Sequence, residues 1–74
     1  MQLKKVETIT DIKEGDKLVL TGDTLHNEPV KVQMVKVSED GTEIIFDRIM
    51  NRYFNLGMYL EGRSWVKKCM IIVE

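Results

Sequence analysis

Apolar residues in this chain fall in short runs that alternate with polar ones, and turn-forming residues separate the runs at close intervals. Gly15–Asp16, Gly22–Asp23, Asn27–Glu28–Pro29, Asp40–Gly41, Gly57 and Gly62 are the breaks, and Val, Ile, Leu and Thr fill the pieces between them. Period-two alternation between turn signals predicts strands, so the fold class expected is all-β. The run "LKKVETIT" reads as a first strand, with Val6, Thr8 and Thr10 alternating with Glu7 and Ile9. "KLVLT" follows the Gly15–Asp16 turn and places Leu18 and Leu20 on one face. "GDTLHNEP" reads as a loop, because Gly, Asp, Asn and Pro each favour turns.

"VKVQMVKVS" carries the most information. Val30, Val32 and Met34 share one phase, and Val35 and Val37 share the other. A strand cannot change phase without a bulge or bend, unless both of its faces are apolar, so a bend is expected near Met34–Val35. Asp40–Gly41 in "SEDGTE" predicts a hairpin, with "EIIFDRI" as the returning strand. The final run, "SWVKKCMIIVE", is apolar on both faces, as in a central or closing strand. Between these last two strands, Met50, Tyr53 and Phe54 have helical spacing, so a short helical turn near residues 50–55 competes with an extended segment ending in a Glu61–Gly62 turn; the extended reading is preferred.

About five short strands without covering helices would bury their apolar face by curling on themselves. The expectation is a single domain, residues 1–74, built as a small five-stranded barrel. The stretch "DIKEGDKLVLTG", followed after a loop by "VKVQMVKVSEDGTEIIF", resembles the opening hairpins of SH3-like barrels of the KOW and Tudor type. The resemblance covers residues 11–47 and implies the fold only; residues 48–60 depart from the pattern, and an OB-like barrel is the alternative.

Composition narrows the function classes. The chain has 74 residues, 43% hydrophobic and 31% charged, which is globular rather than disordered. Its net charge of −1 argues against general nucleic-acid affinity. A lone cysteine, Cys69, cannot form an internal disulfide, and the start of the chain has no apolar run of the signal-peptide kind. Nothing approaches the roughly 20 apolar residues of a membrane span. A cytoplasmic setting is the expectation.

Catalytic chemistry is sparse. His26 is the only histidine and sits in a loop; with Cys69 far along the chain, the two make poor metal-site or nucleophile–base material. No phosphate-binding glycine motif is present. The expectation is therefore a protein without enzymatic activity, metal or cofactor.

Residues 48–68 stand out instead. They contain four of the five aromatics, and five cations against one acid, a local charge of +4 that leaves −5 for the remainder. Aromatics, Met and Arg together mark protein–protein hot spots, and aromatics beside cations also hold single-stranded nucleic acids. Phe54 and Trp65 are assigned mainly to the core. Arg48, Arg52, Tyr53, Tyr59, Arg63 and Lys67 are the expected binding residues. The function expected is docking to a larger protein partner, as an inhibitor or adaptor of the kind phages and mobile elements encode, with nucleic-acid binding through the same surface as the alternative. The "CMIIV" run is a candidate pairing edge, which leaves monomer and homodimer open.

Overall fold

A computed structural model describes residues 2–73. Its elements are β1 (Gln2–Lys5), β2 (Lys17–Gly22), β3 (Glu28–Lys31), β4 (Met34–Ser38), β5 (Gly41–Asp47), β6 (Arg52–Asn55), α1 (Leu56–Leu60) and β7 (Val66–Val73). They make two antiparallel sheets, β1-β7-β2-β3 and β4-β5-β6. The all-β class holds. The single five-stranded barrel does not, because the strands are divided between two sheets with no closed barrel.

The phase slip in "VKVQMVKVS" is where the chain passes from one sheet to the other. Val32 still belongs to the first sheet: its N–H donates to Asp16 O, and its carbonyl accepts from Gly15 N. Gln33 already belongs to the second, donating to Ile45 O. The bend thus lies at Val32–Gln33, slightly before the position expected from the pattern. Val30 and Val32 turn inward before it and Val35 after it, while Met34 is released to solvent.

A second slip explains the two-faced C-terminal run. Thr21 pairs with Lys68, but Gly22 pairs with Val66, so Lys67 is an extra residue in β7. This bulge lets Val66 and Cys69, three positions apart, both face the core. β7 is flanked by β1 and β2 on its two sides. The expected "CMIIV" pairing edge is therefore corrected: β1 already occupies it.

Two further expectations change. The first strand ends at Lys5, because Asp11 accepts from the backbone N–H of Glu7 and Thr8 and folds Thr8–Asp11 into a turn. Those donors, with the Thr8 hydroxyl, hold the Asp11 carboxyl below its ordinary value. The helical turn is not at 50–55, where the chain finishes the hairpin turn and then runs extended as β6; it is α1, whose N-cap Asn55 accepts from Met58 N at 3.0 Å. Pro29 lies in β3, an edge of its sheet, where a missing N–H breaks no ladder bond.

The core is a single cluster contributed by both sheets, with Leu18, Leu20, Val32, Ile44, Phe54, Leu56 and Cys69 almost wholly excluded from solvent. Phe46 contacts Phe54 and Trp65 at 6.3 Å between ring centroids, and Phe54 meets Tyr59 edge-on at 6.1 Å. No helix among the described residues is long and apolar enough to cross a membrane.

Gly22 sits where β2 crosses the Ser64–Val66 approach to β7. A Cβ there would lie 2.5 Å from the Trp65 carbonyl oxygen and 3.1 Å from Val66 Cα. Both obstacles are backbone and cannot rotate away. Gly22→Ala is expected to cost about 1–3 kcal/mol, read as a lower urea midpoint at unchanged slope. An unaltered midpoint would mean the two segments have room to separate.

Candidate functional site

The β5–β6 hairpin organises the segment singled out in the sequence. Asp47 Oδ1 accepts from Met50 N at 3.1 Å, and Asn51 adopts a positive φ of 54°, so the turn 48–51 is tight. Gln33 Oε1 accepts from Arg48 N at 3.0 Å and ties the turn to the sheet crossing. The tip then has only solvent in front of it: Ile49 is 94% exposed and Met50 71%. Two apolar side chains presented this way are unusual for a surface with no partner.

That tip adjoins an apolar row on the outward face of the three-stranded sheet. Ile45 pairs with Met34 on one side and with Tyr53 on the other, so the three residues stand side by side across β4, β5 and β6. Tyr53 is 43% exposed, Met34 is exposed and Ile45 half-buried. The neighbouring row, Lys36–Glu43–Asn55, is polar and mixed in charge.

Beyond the free edge of β6 lies an open groove of about 730 Å³. Its walls include Arg52, Tyr53, Met58, Arg63 and Trp65, with Asp23 and Thr24 at one side. Trp65 is fixed there: its indole N–H donates to Tyr53 O at 3.2 Å while its ring packs on Phe46. The bond covers part of the β6 edge and holds the indole as one wall of the groove.

Of the six expected binding residues, the structure brings three together and scatters the rest. Arg52, Tyr53 and Arg63 all line the groove. Arg48 borders a separate depression of about 510 Å³ with Glu14, Lys31 and Gln33. Tyr59 is half-buried, and its hydroxyl accepts from Cys69 N at 2.9 Å, so it serves the core. Burial is the main cause that raises its phenol above the ordinary value. Lys67 donates to Ser64 O at 2.8 Å beside the bulge.

Arg52 does more inside the fold than in front of it. Its guanidinium bonds Glu28 Oε2 at 3.0 Å, and Nε lies 3.4 Å from Asp47 Oδ2. Nε is buried and not aligned for a hydrogen bond, so the Asp47 contact is ionic only. The guanidinium carbon also stands 5.2 Å from the centre of the Phe46 ring. Since Glu28 is in β3 of one sheet while Arg52 and Asp47 are in β6 and β5 of the other, this one side chain links the two sheets. Arg63 is held more loosely: its 3.5 Å pair with Glu61 is mostly exposed on both sides, a kind worth about 0–1 kcal/mol.

Sequence reasoning missed Ile49, Met50, Met34 and Ile45. The signal for the first two was present: two adjacent apolar residues between Asp47 and Asn51, both turn formers, leave no core face to occupy. The Met34–Ile45–Tyr53 row depended on strand register. No group of three or more His, Cys, Asp or Glu among the described residues is placed to hold a metal ion. No protein-family model, curated protein or solved structure matches the chain.

Two measurements check these roles. Arg52→Ala leaves Asp47 and Glu28 facing each other's vicinity without a cation, and is expected to lower stability by about 1 kcal/mol or more, with Arg52→Lys recovering only part of it; equal stability of all three proteins would make the link incidental. Burial pushes the Cys69 thiol up to about 12 from an ordinary 9.0. The folded state therefore favours the neutral thiol, and the associated stability is complete below pH 9 and lost as pH rises toward 12. Urea midpoints should fall across that window, less steeply in Cys69→Ala, with the raised Tyr59 phenol retaining the rest of the slope.

Proposed function

We propose that this protein is a non-enzymatic binding module that docks a larger protein through the β5–β6 hairpin. The observation carrying this reading is the continuity of exposed Ile49 and Met50 with the Met34–Ile45–Tyr53 row and the Trp65-walled groove. A rigid aromatic and methionine surface flanked by Arg48 and Arg63 has the composition of a protein hot spot. Supporting it is the anchoring of the hairpin by Asp47, Gln33 and Arg52, which lowers the ordering cost of docking. The apolar centre fits an apolar anchor on the partner better than an acidic patch. The passage of one strand between two sheets within residues 11–47 supports an SH3-like plan over that stretch, and an inhibitor or adaptor role suits a small domain that works by docking.

The nucleic-acid alternative is weaker on this surface. Arg52 is engaged by Glu28 and Asp47, and Lys67 by Ser64 O, so few cations face the aromatic wall. Phosphate binding would also show a steep salt dependence, about 0.9 log units per contacted phosphate on duplex DNA.

The test is affinity capture from the source cells with wild-type protein and two surface variants, Tyr53→Ala and Met50→Ser, at low and high salt. Both variants should keep the wild-type stability, read from urea unfolding, within about 0.5 kcal/mol. The expected result is a protein retained by wild type at both salt concentrations and lost from both variants. Equal retention by the variants, or capture only of nucleic acid that high salt removes, would overturn the reading.

A further inference from the structure

The four-stranded sheet has an outward face that the hairpin reading does not use. Strand register assigns it without ambiguity. Lys5 pairs with Met70 and Leu3 with Ile72; Met70 pairs with Val19, and Val19 with Pro29; Lys68 pairs with Thr21, and Lys17 with Lys31. Since Leu18, Leu20, Cys69 and Ile71 point into the core, all of these point away from it. The outward positions therefore present an apolar band, Leu3, Ile72, Met70, Val19 and Pro29, among Lys5, Lys17, Lys31 and Lys68.

The charge is one-sided. Four of the chain's 11 cations stand at outward positions of these strands, and no carboxylate of the described strand residues does, while Glu14 of the preceding turn shares a depression with Lys31. Lys5, Lys31 and Lys68 make no ion pair with a described residue. In a chain of net charge −1, such a concentration of lysine around half-buried aliphatic residues is the complement of an acidic, amphipathic surface.

We propose that this sheet face is a second docking surface, which takes an acidic amphipathic helix from a partner protein. The helix would lay its apolar stripe over Ile72, Met70 and Val19, with its flanking carboxylates reaching Lys5, Lys31 and Lys68. The face spans four strands, about 15 Å at the usual strand spacing, which accommodates one helix of about 10 Å diameter. A phosphate backbone fits less well, because the centre of the face is apolar and carries no aromatic ring for base stacking. A bilayer fits less well too, since Val19, Met70 and Ile72 are half-buried and do not protrude.

The probe is a synthetic helical peptide of about 18 residues, five turns, with Leu at i, i+3, i+4 and i+7 and Glu along both flanks. Three controls accompany it: the same composition with the Leu order scrambled, a single-stranded oligothymidine, and vesicles of phosphatidylcholine with phosphatidylserine. The amphipathic peptide is expected to bind most tightly, more weakly as salt rises, and to shift the amide resonances of Val19, Lys68 and Met70. Lys31→Glu combined with Lys68→Glu should weaken it about tenfold or more. The Tyr53→Ala and Met50→Ser variants should bind it as wild type does, which separates failure here from failure of the hairpin surface. No binding of the peptide, equal binding of the scrambled sequence, tighter binding of oligothymidine or vesicles, or full retention by the lysine double variant would each overturn the proposal.

Discussion

The passage of one run of chain, Glu28 to Ser38, between two sheets is the constraint on which the structure depends. Backbone groups cannot be left unpaired inside a protein, so a strand that leaves one sheet must find its partners in another at once. Here the handover takes two residues. Val32 exchanges both its backbone hydrogen bonds with the Gly15–Asp16 turn, and Gln33 donates to Ile45. The positive φ of Gly15 allows the turn to come up to that position. Gln33 then uses its side chain to hold Arg48, so the crossing also sets where the β5–β6 hairpin begins.

From that crossing the two sheets acquire their separate outer faces. The inner positions converge on one core around Phe54, Leu18, Leu20 and Ile44. The outer positions diverge in character. The three-stranded sheet displays a mixed-charge row beside the apolar one that leads to Ile49 and Met50, whereas the four-stranded sheet displays lysines around aliphatic residues. Arg52 is the strut between them, with Glu28 on one side and Asp47 on the other. The same residue thus supports the hairpin rather than leading the contact with a partner, and the surface in front of it is correspondingly less basic than residue counts over 48–68 imply.

Irregularities in the strands do more to shape the surface than the regular parts. The Lys67 bulge brings Val66 and Cys69 inward together and delivers Lys68 to the outer face. The close approach of Gly22 to the Trp65 backbone brings the indole to the edge of β6, where it donates to Tyr53 O. Neither feature has a sequence signature beyond an interrupted alternation. The bulge arises because the strand must satisfy a pairing partner on one side and a core on the other, and an extra residue meets both; the close approach requires a residue without a Cβ at position 22.

The sequence by itself determined the all-β class, the turn positions at Gly15–Asp16, Asp40–Gly41 and Glu61–Gly62, the existence of a bend in "VKVQMVKVS", and the structural parts played by Phe54 and Trp65. Those are local properties: residue conformational preference and the side-chain alternation of a strand act over a few positions. Strand partners were not local. Whether "CMIIV" is an edge or an interior strand depended on Gln2–Lys5 arriving from the other end of the chain. Tyr59 read as exposed because Cys69, whose N–H it accepts, is ten residues away. Arg52 read as free because Glu28 lies 24 residues back. The tertiary structure alone decided which apolar residues share a row and which cations already have a carboxylate, since both are set by strand register and by contacts between sheets.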